Sequence, residues 1–444
     1  MLDVGIVPNG GEGGKPSSPP ARPTDQGEKQ VVKIGRGEWP HKPRSPNSMV
    51  PATLENFEYL AYRLGIKFRF NRVKKRVDIE MPNVTVDAQN RDQVLLTRLE
   101  SLAIMHDMQC SKIAQYVLVL GDKQSHDPVA DWIESKPWDG NSRLADICAT
   151  IAVAEDYPIT LRDLLVRKWL LSIVAASFKG EGYRARGVLT LQGGQGIGKT
   201  TWFSRLVTPA ALRSDVIKLG HSWDGGSKDA RLAALRHRIV ELGELEGSFR
   251  KEIASLKAFI TETADKIRPP YARVEAEYPR STVFGASVND RQFLLDTTGN
   301  SRFWTIAAER IVHQHDIDMQ QVFAELKVAF DKGDEWWLTD AEEDQLAKVN
   351  DTHRVIGSIE AKIIERLDLD RIGEASLRRL TANEVLTALE VKNPTNPQSK
   401  EANVVLRRLL GESKRVRGQN RWPIPWKKQP EPTGREYFEP EDVY

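Results

Sequence analysis

Residues 193–200 read Gly-Gly-Gln-Gly-Ile-Gly-Lys-Thr and satisfy the spacing G-x-x-x-x-G-K-[ST] in full. Each part has a physical task. Gly193, Gly194, Gly196 and Gly198 permit a tight turn whose backbone N–H groups face phosphate oxygens. Lys199 can reach β- and γ-phosphates, and the Thr200 hydroxyl is a ligand for Mg2+. Gln195, Ile197 and Thr201 complete the stretch expected to wrap a nucleoside triphosphate. A chance Gly-rich turn is the other reading of so short a pattern.

Triphosphate hydrolysis also needs an acid that holds Mg2+ or polarises water. Arg238-Ile239-Val240-Glu241-Leu242-Gly243-Glu244-Leu245-Glu246 runs from apolar into acidic residues, as a strand end would. Glu241 and Glu244 are the two candidates. One would support the metal and the other orient water, and the sequence does not assign which; a solvated acidic loop is the alternative. A further apolar run, Ser281 to Val288, ends in Asn289, whose amide can hold water near a γ-phosphate or simply shape a turn. In Thr298-Gly299-Asn300-Ser301-Arg302-Phe303-Trp304, Arg302 stands between a turn and aromatic residues. Held so, it suits an arginine finger; otherwise it is a surface or DNA-contacting residue.

The elements that must position these residues are legible by pattern. Val188-Leu189-Thr190-Leu191 is β-prone and precedes the glycine loop; Thr201 to Leu206 can continue as a helix, giving strand–loop–helix order. Across 187–306, short apolar strands alternate with amphipathic helices, the signature of an α/β sheet core. Helical segments near 317–332 and 340–350 close it. Upstream, the spacing predicts helices at 52–64, 90–108, 110–119, 143–154 and 160–178, and a helix start at Asp127-Pro128-Val129. A basic hairpin with an Asn-Arg turn is predicted at 67–80. Its cations form either a strand's wet face or a DNA-facing patch. Residues 374–428 offer helices at 382–390 and 400–410 and a basic strand pair ending near Trp422. No internal repeat is evident. The expected division is a Gly/Pro-rich loose tail at 1–48, a mostly helical domain at 49–180, an ATPase domain at 181–357, a small winged-helix-like basic module at 358–428 and a loose tail at 429–444.

Bulk properties narrow the class. The chain has 444 residues, room for two or three domains, and a net charge of +2, so any nucleic-acid surface must be local. Its two cysteines, Cys110 and Cys148, make no disulfide framework or metal cluster and are expected as buried thiols in a reducing, cytoplasmic setting. No apolar run approaches membrane-spanning length, and no secretory signal pattern opens the chain, so no membrane partner is expected.

Four elements, taken in order, carry a resemblance. They are Gly193–Thr200, Val240-Glu241-Leu242-Gly243-Glu244-Leu245, Arg268-Pro269-Pro270-Tyr271 and Gly299-Asn300-Ser301-Arg302-Phe303-Trp304, with Trp138-Asp139-Gly140-Asn141-Ser142-Arg143-Leu144 upstream. Over about 125–340 the chain resembles the virulence-associated protein E family of phage and mobile-element proteins. That family is related to superfamily 3 helicases within the AAA+ P-loop ATPases.

The resemblance implies an ATP- and Mg2+-dependent homo-hexameric ring that moves on single-stranded DNA inside a bacterial host cell, with nucleotide bound between subunits. Lys199, Thr200, Glu244 and Asn289 would then belong to one subunit and Arg302 to its neighbour, with Glu244 favoured as the main acid. Ser301 departs from the second Arg expected there. A DNA-gripping hairpin is implied between the acidic and Asn strands, where Lys266, Arg268, Tyr271 and Arg273 supply cations and an aromatic; a rigid Pro-Pro turn that packs Tyr271 inward is the alternative. The basic C-terminal stretch, including Arg407, Arg408, Lys414, Arg415, Arg417 and Arg421, resembles a winged-helix module for duplex DNA, or else packs subunits.

No zinc site or acidic set marks a primase in the first 120 residues, and the chain is not expected to carry one; a primase or another replication protein is a candidate partner. The expected function is an ATP-dependent DNA helicase or translocase in replication of a phage or mobile element. The alternative is an ATP-switched DNA-binding initiator or regulator. A small-molecule kinase would leave residues 374–428 and Arg268-Pro269-Pro270-Tyr271 without a task.

Overall fold

The computed structural model describes residues 33–86, 90–223, 227–243, 250–267, 275–294, 300–354 and 356–427. The chain divides into two compact units, one drawn from residues 1–69 and 78–123, the other from 70–77 and 124–444.

In the first unit, α1 (Leu54–Arg63) starts where the Thr53 hydroxyl accepts from the Asn56 N–H, and buries Phe57, Leu60 and Ala61. The hairpin strands β1 (Lys67–Asn71) and β2 (Arg76–Glu80) follow, their residues 70–77 counted in the second unit. Their turn is broader than the predicted Asn-Arg pair: Asn71 Oδ1 accepts from the N–H groups of Val73 and Lys74, and Lys75 takes a left-handed φ of 55°. Helices α2 (Arg91–Met105) and α3 (Ile113–Asp122) complete this unit, burying Leu95, Leu96 and Leu99 on one and Val117 and Leu120 on the other.

The second unit opens with β3 (Ser125–His126), which runs parallel to Phe70 and Asn71. The Asp127 carboxylate caps α4 (Pro128–Ile133) by accepting from the Val129 and Ala130 N–H groups. The helix predicted over 143–154 is shorter, α5 (Leu144–Ala149), because Ile151–Val153 forms β4 instead. These residues are mostly β-branched and find an open sheet edge, pairing antiparallel with 308–311. Helix α6 (Ile159–Phe178) is buried around nearly its whole girth, as expected of a helix packed within a large core. It belongs with the sheet that follows, so the boundary expected near residue 180 does not separate two bodies; the units divide at 123/124.

Onward come β5 (Val188–Gln192), α7 (Lys199–Ser204), α8 (Ala210–Val216), β6 (Ile217–His221), α9 (Lys228–Leu235), β7 (Ile239–Leu242) and α10 (Arg250–Thr261). After them lie β8 (Ala264–Ile267), β9 (Ala276–Pro279), β10 (Val283–Val288), β11 (Phe303–Ile311), α11 (Met319–Asp331) and α12 (Asp340–Thr352). Six strands form one sheet in the order β4-β11-β5-β10-β7-β6. All pairs are parallel except β4 with β11. Parallel strands are covered on both faces, and β5, β7 and β10 accordingly read as near-continuous buried apolar runs. From α6, the Trp169 indole N–H donates to the Phe284 carbonyl on β10 at 2.7 Å.

The last part runs α13 (Ser358–Arg366), β12 (Arg379–Leu380), α14 (Ala382–Ala388), α15 (Asn396–Leu410), β13 (Lys414–Val416) and β14 (Gln419–Pro423). It has its own apolar cluster around Ile363, Val385, Leu406 and Trp422. Its strands form a small sheet in the order β12-β14-β13.

Candidate functional site

The site is built at the carboxyl end of β5, the edge where open parallel sheets present their ligand crevices. After Gln192 the chain turns through Gly193–Gly198 and enters α7 at Lys199. Gly198 sits at the helix cap with φ +95°, and a Cβ there would lie 2.3 Å from His313 Nδ1. Only glycine fits both demands. Gly193 passes so near β11 that a Cβ would meet the Ala308 carbonyl oxygen at 2.1 Å.

Lys199 is only 6% exposed. Its ammonium donates to the Gly193 and Gly194 carbonyls at 2.8 and 2.7 Å and to Asn289 Oδ1 at 2.9 Å. Asn289 follows β10, which lies directly beside β5, so strand order joins two residues ninety positions apart in sequence. The Thr200 hydroxyl donates to Glu241 Oε1 at 3.1 Å and lies 3.3 Å from Ser287 Oγ. Glu241 is wholly buried on β7, and its other oxygen accepts the Gly220 N–H at 2.6 Å.

Glu241 has no lysine, arginine or histidine partner among the described residues. A buried carboxylate so placed calls for a cation. Together with the Thr200 hydroxyl it supplies hard oxygen donors suited to Mg2+. Among the described residues no three His, Cys, Asp or Glu side chains cluster as a protein metal cage.

These groups line a cavity of about 500 Å3 with Ser222 and Gly243. A second cavity, of about 550 Å3, lies against Gly193, Gly194 and Ile197, with Tyr157, Val349 and His353 among its walls. Both volumes are in the range of small-ligand sites. The arrangement offers the Lys199 cation, amides, several hydroxyls and the Glu241 carboxylate to a polyanion on one side of the loop, and a more apolar recess beside it.

The remaining expected residues fall elsewhere. Glu244, Arg268, Tyr271 and Arg273 lie outside the described residues. Lys266 is exposed on β8, opposite Glu277 of β9. Arg302 precedes β11, whose first residue Phe303 pairs with Val188 while Ala307 pairs with Gln192. Extended chain advances roughly 3.3 Å per residue, so Arg302 stands about 15 Å along the strand from the level of the glycine loop. It is therefore at the opposite end of the strands from Lys199. Its turn is fixed by Asn350, whose amide donates to the Asn300 and Phe303 carbonyls, each at 2.9 Å.

Several basic residues serve the fold. Arg69 pairs with Glu80, Lys74 with Asp215, and buried Lys75 reaches the Pro279 carbonyl at 3.3 Å. Burial lowers the Lys75 ammonium to about 8. In the C-terminal part Arg408 pairs with Glu360 and Arg421 with Glu384. Arg407, Lys414, Arg415 and Arg417 are exposed, with Arg417 at the β13–β14 turn.

Ser287, Gly220 and His313 were missed from sequence. Ser287 was within reach, since it lies two residues before Asn289 and alternation puts both on one face. Gly220 and His313 carry no local signal; only folding brings them to the loop.

Fold and site define a mixed α/β protein with a parallel sheet and a polar site at a glycine loop. Within that class, the chain belongs to the family of the virulence-associated protein E-like domain, whose model matches residues 133–355. The match takes in the glycine loop, Glu241, Asn289 and Arg302. Among solved structures, the chain is similar to the apo structure of the NrS-1 C-terminal region (305–718). The identity is 16%, covering 81% of this chain and 90% of that one, with a TM-score of 0.37. An A-form apo structure of the same region gives 14% identity over 83% of this chain and 98% of that one, with a TM-score of 0.39. No curated protein matches the chain. No described helix is long and apolar enough to cross a membrane.

Proposed function

We propose that this protein is a Mg2+-dependent ATPase of superfamily 3 helicase type that moves on DNA during replication of a phage or mobile element. The observation that carries the reading is the convergence of Lys199, Thr200, Glu241 and Asn289, from three separate elements, on one cavity. On this reading the loop N–H groups and Lys199 take the β- and γ-phosphates, and the recess by Tyr157 and His353 takes the nucleoside. Thr200 and Glu241 hold Mg2+, directly or through water; when bound, the ion neutralises charge developing on the phosphates. Asn289 orients the attacking water. Glu244 is the second acid. Arg302, remote from its own loop, serves the site of an adjacent copy, which accords with a homo-hexameric ring.

Lys266, with Arg268, Tyr271 and Arg273, contacts single-stranded DNA within the ring. A primase or another replication protein is the expected partner. The C-terminal part, in the order helix–strand–helix–helix–strand–strand, works as a winged-helix module on duplex DNA.

The test is ATP hydrolysis with and without single-stranded DNA, for the intact protein and for Lys199→Ala. DNA-stimulated hydrolysis, falling at least about a hundredfold in the mutant, is expected. The exposed basic residues of the β13–β14 turn favour a second reading, an ATP-switched initiator or regulator on duplex DNA. Hydrolysis indifferent to DNA, with tight duplex binding, would select that one.

A further inference from the structure

The glycine loop is joined to helix α15 by a short run of polar contacts, its middle members His353, Arg354 and Glu360 buried. Lys199 donates to Asn289. Two residues on, the Arg291 carbonyl faces His353 Nδ1 at 2.9 Å. The His353 carbonyl in turn accepts from the Phe293 and Leu294 N–H groups, both at 3.1 Å, and Leu294 bridges to Arg354. Residues 291–294 and 353–354 are thus interlocked. Arg354, itself buried, forks both oxygens of Glu360 near the start of α13. Glu360 also accepts from Arg408, in the last turns of α15. Burial holds the His353 imidazole below its ordinary range, so it stays a neutral donor to Arg291.

From these contacts we infer that nucleotide at the glycine loop changes the set of the C-terminal module, through Asn289, His353, Arg354, Glu360 and Arg408. The inference rests on the nucleotide reading above and adds a regulation to it. The physical cause lies at Lys199. Its ammonium is shared among two loop carbonyls and Asn289, and a triphosphate competes for that same charge. Any move of Asn289 strains the 291–294 segment; the Arg354 fork on Glu360 passes the displacement to α13, and the Arg408 contact passes it on to α15. Charge-assisted forks keep their geometry better than single bonds. Coupling is reciprocal, so a ligand on the module must also alter nucleotide affinity.

Amide hydrogen exchange on the full chain tests this, with and without a slowly hydrolysed ATP analogue and Mg2+, alongside calorimetric titration of the same analogue. In the intact protein, exchange across 396–410 is expected to change at least about fivefold on nucleotide binding. Arg408→Gln is expected to bind the analogue as tightly and lose that change. Arg408→Lys, which can still meet Glu360, is expected to keep most of it. Nucleotide binding with no change at 396–410, or a full change surviving in Arg408→Gln, overturns the inference. Loss of the change in Arg408→Lys as well, with nucleotide still bound, also overturns the inference, since the charge contact to Glu360 is kept. No binding of the analogue overturns the nucleotide reading itself, and this inference with it.

Discussion

Arg302 stands at the start of β11 and Lys199 just past the end of β5, at opposite ends of neighbouring strands. On the proposed ATPase reading, an Arg302 that serves triphosphate chemistry acts on another copy. The sequence supplied Arg302 as a candidate, but spacing alone left its trans role open. Arg302→Ala is expected to keep nucleotide affinity and to lose hydrolysis by about a thousandfold or more. Mixing it with Lys199→Ala should restore activity, because one variant keeps the loop and the other the Arg. In a heterologous ring of equal parts, about a quarter of the interfaces would hold both. A steady-state ATPase titration of one variant against the other reads this out; no recovery in mixed rings would rule out the shared site. For the acid, the residues alone did not assign Glu241 against Glu244, and the resemblance favoured Glu244. Burial and the Thr200 contact bring Glu241 to the loop, whereas Glu244 lies outside the described residues.

At the scale of elements, strand β7 must present Glu241 at a fixed height, and a buried ion pair anchors its root. Arg238 is wholly buried; it pairs with Asp127, the cap of α4, and donates to the Ala176 and Ser281 carbonyls. One side chain thereby ties the end of α6, the start of β10 and the cap of α4 to the strand that carries the acid. Asp127→Ala removes both the helix cap and the counter-charge and leaves Arg238 buried without its carboxylate. The expected loss is about 3–5 kcal/mol, measured as a shift of the urea midpoint at unchanged slope. Local elements were the readable part of this arrangement. Apolar spacing gave α1 and α6, and Asp127-Pro128 gave the start of α4. Strand β4 was read as helix because three residues in a helical neighbourhood carry little period of their own. Their state was decided by the free edge of β11.

The whole molecule carries a pH dependence in its histidines. Burial, aided by Lys218, pushes His221 down to about 4, and burial likewise lowers His237 and His353. The folded protein holds these rings neutral, while the unfolded chain takes up protons below about 6.5. The unfolded state therefore binds more protons between the two values, and stability falls as pH drops from about 6.5 toward 4. Above that window the contribution is complete and flat. Melting temperatures between pH 7.5 and 4.5 are expected to fall on the acid side, with a shallower fall in His221→Gln. Equal slopes in both proteins would rule out His221 as a source.

By itself the sequence determined what is local: the glycine loop with Lys199 and Thr200, the apolar strands on either side of it, the helix caps, and the residue types able to hold phosphate or metal. Turn chemistry and side-chain period act over a few residues, so they can be read from one chain. Only the tertiary structure decided which strands lie side by side. That choice set Asn289 on Lys199, Glu241 and Ser287 on Thr200, His313 beneath Gly198, and Arg302 at the far end of the strands. It also drew Lys75 and Arg408 out of the basic patches their sequence neighbourhoods suggested. Those placements arise from burial and pairing between residues tens to hundreds of positions apart, and no local pattern encodes such pairing.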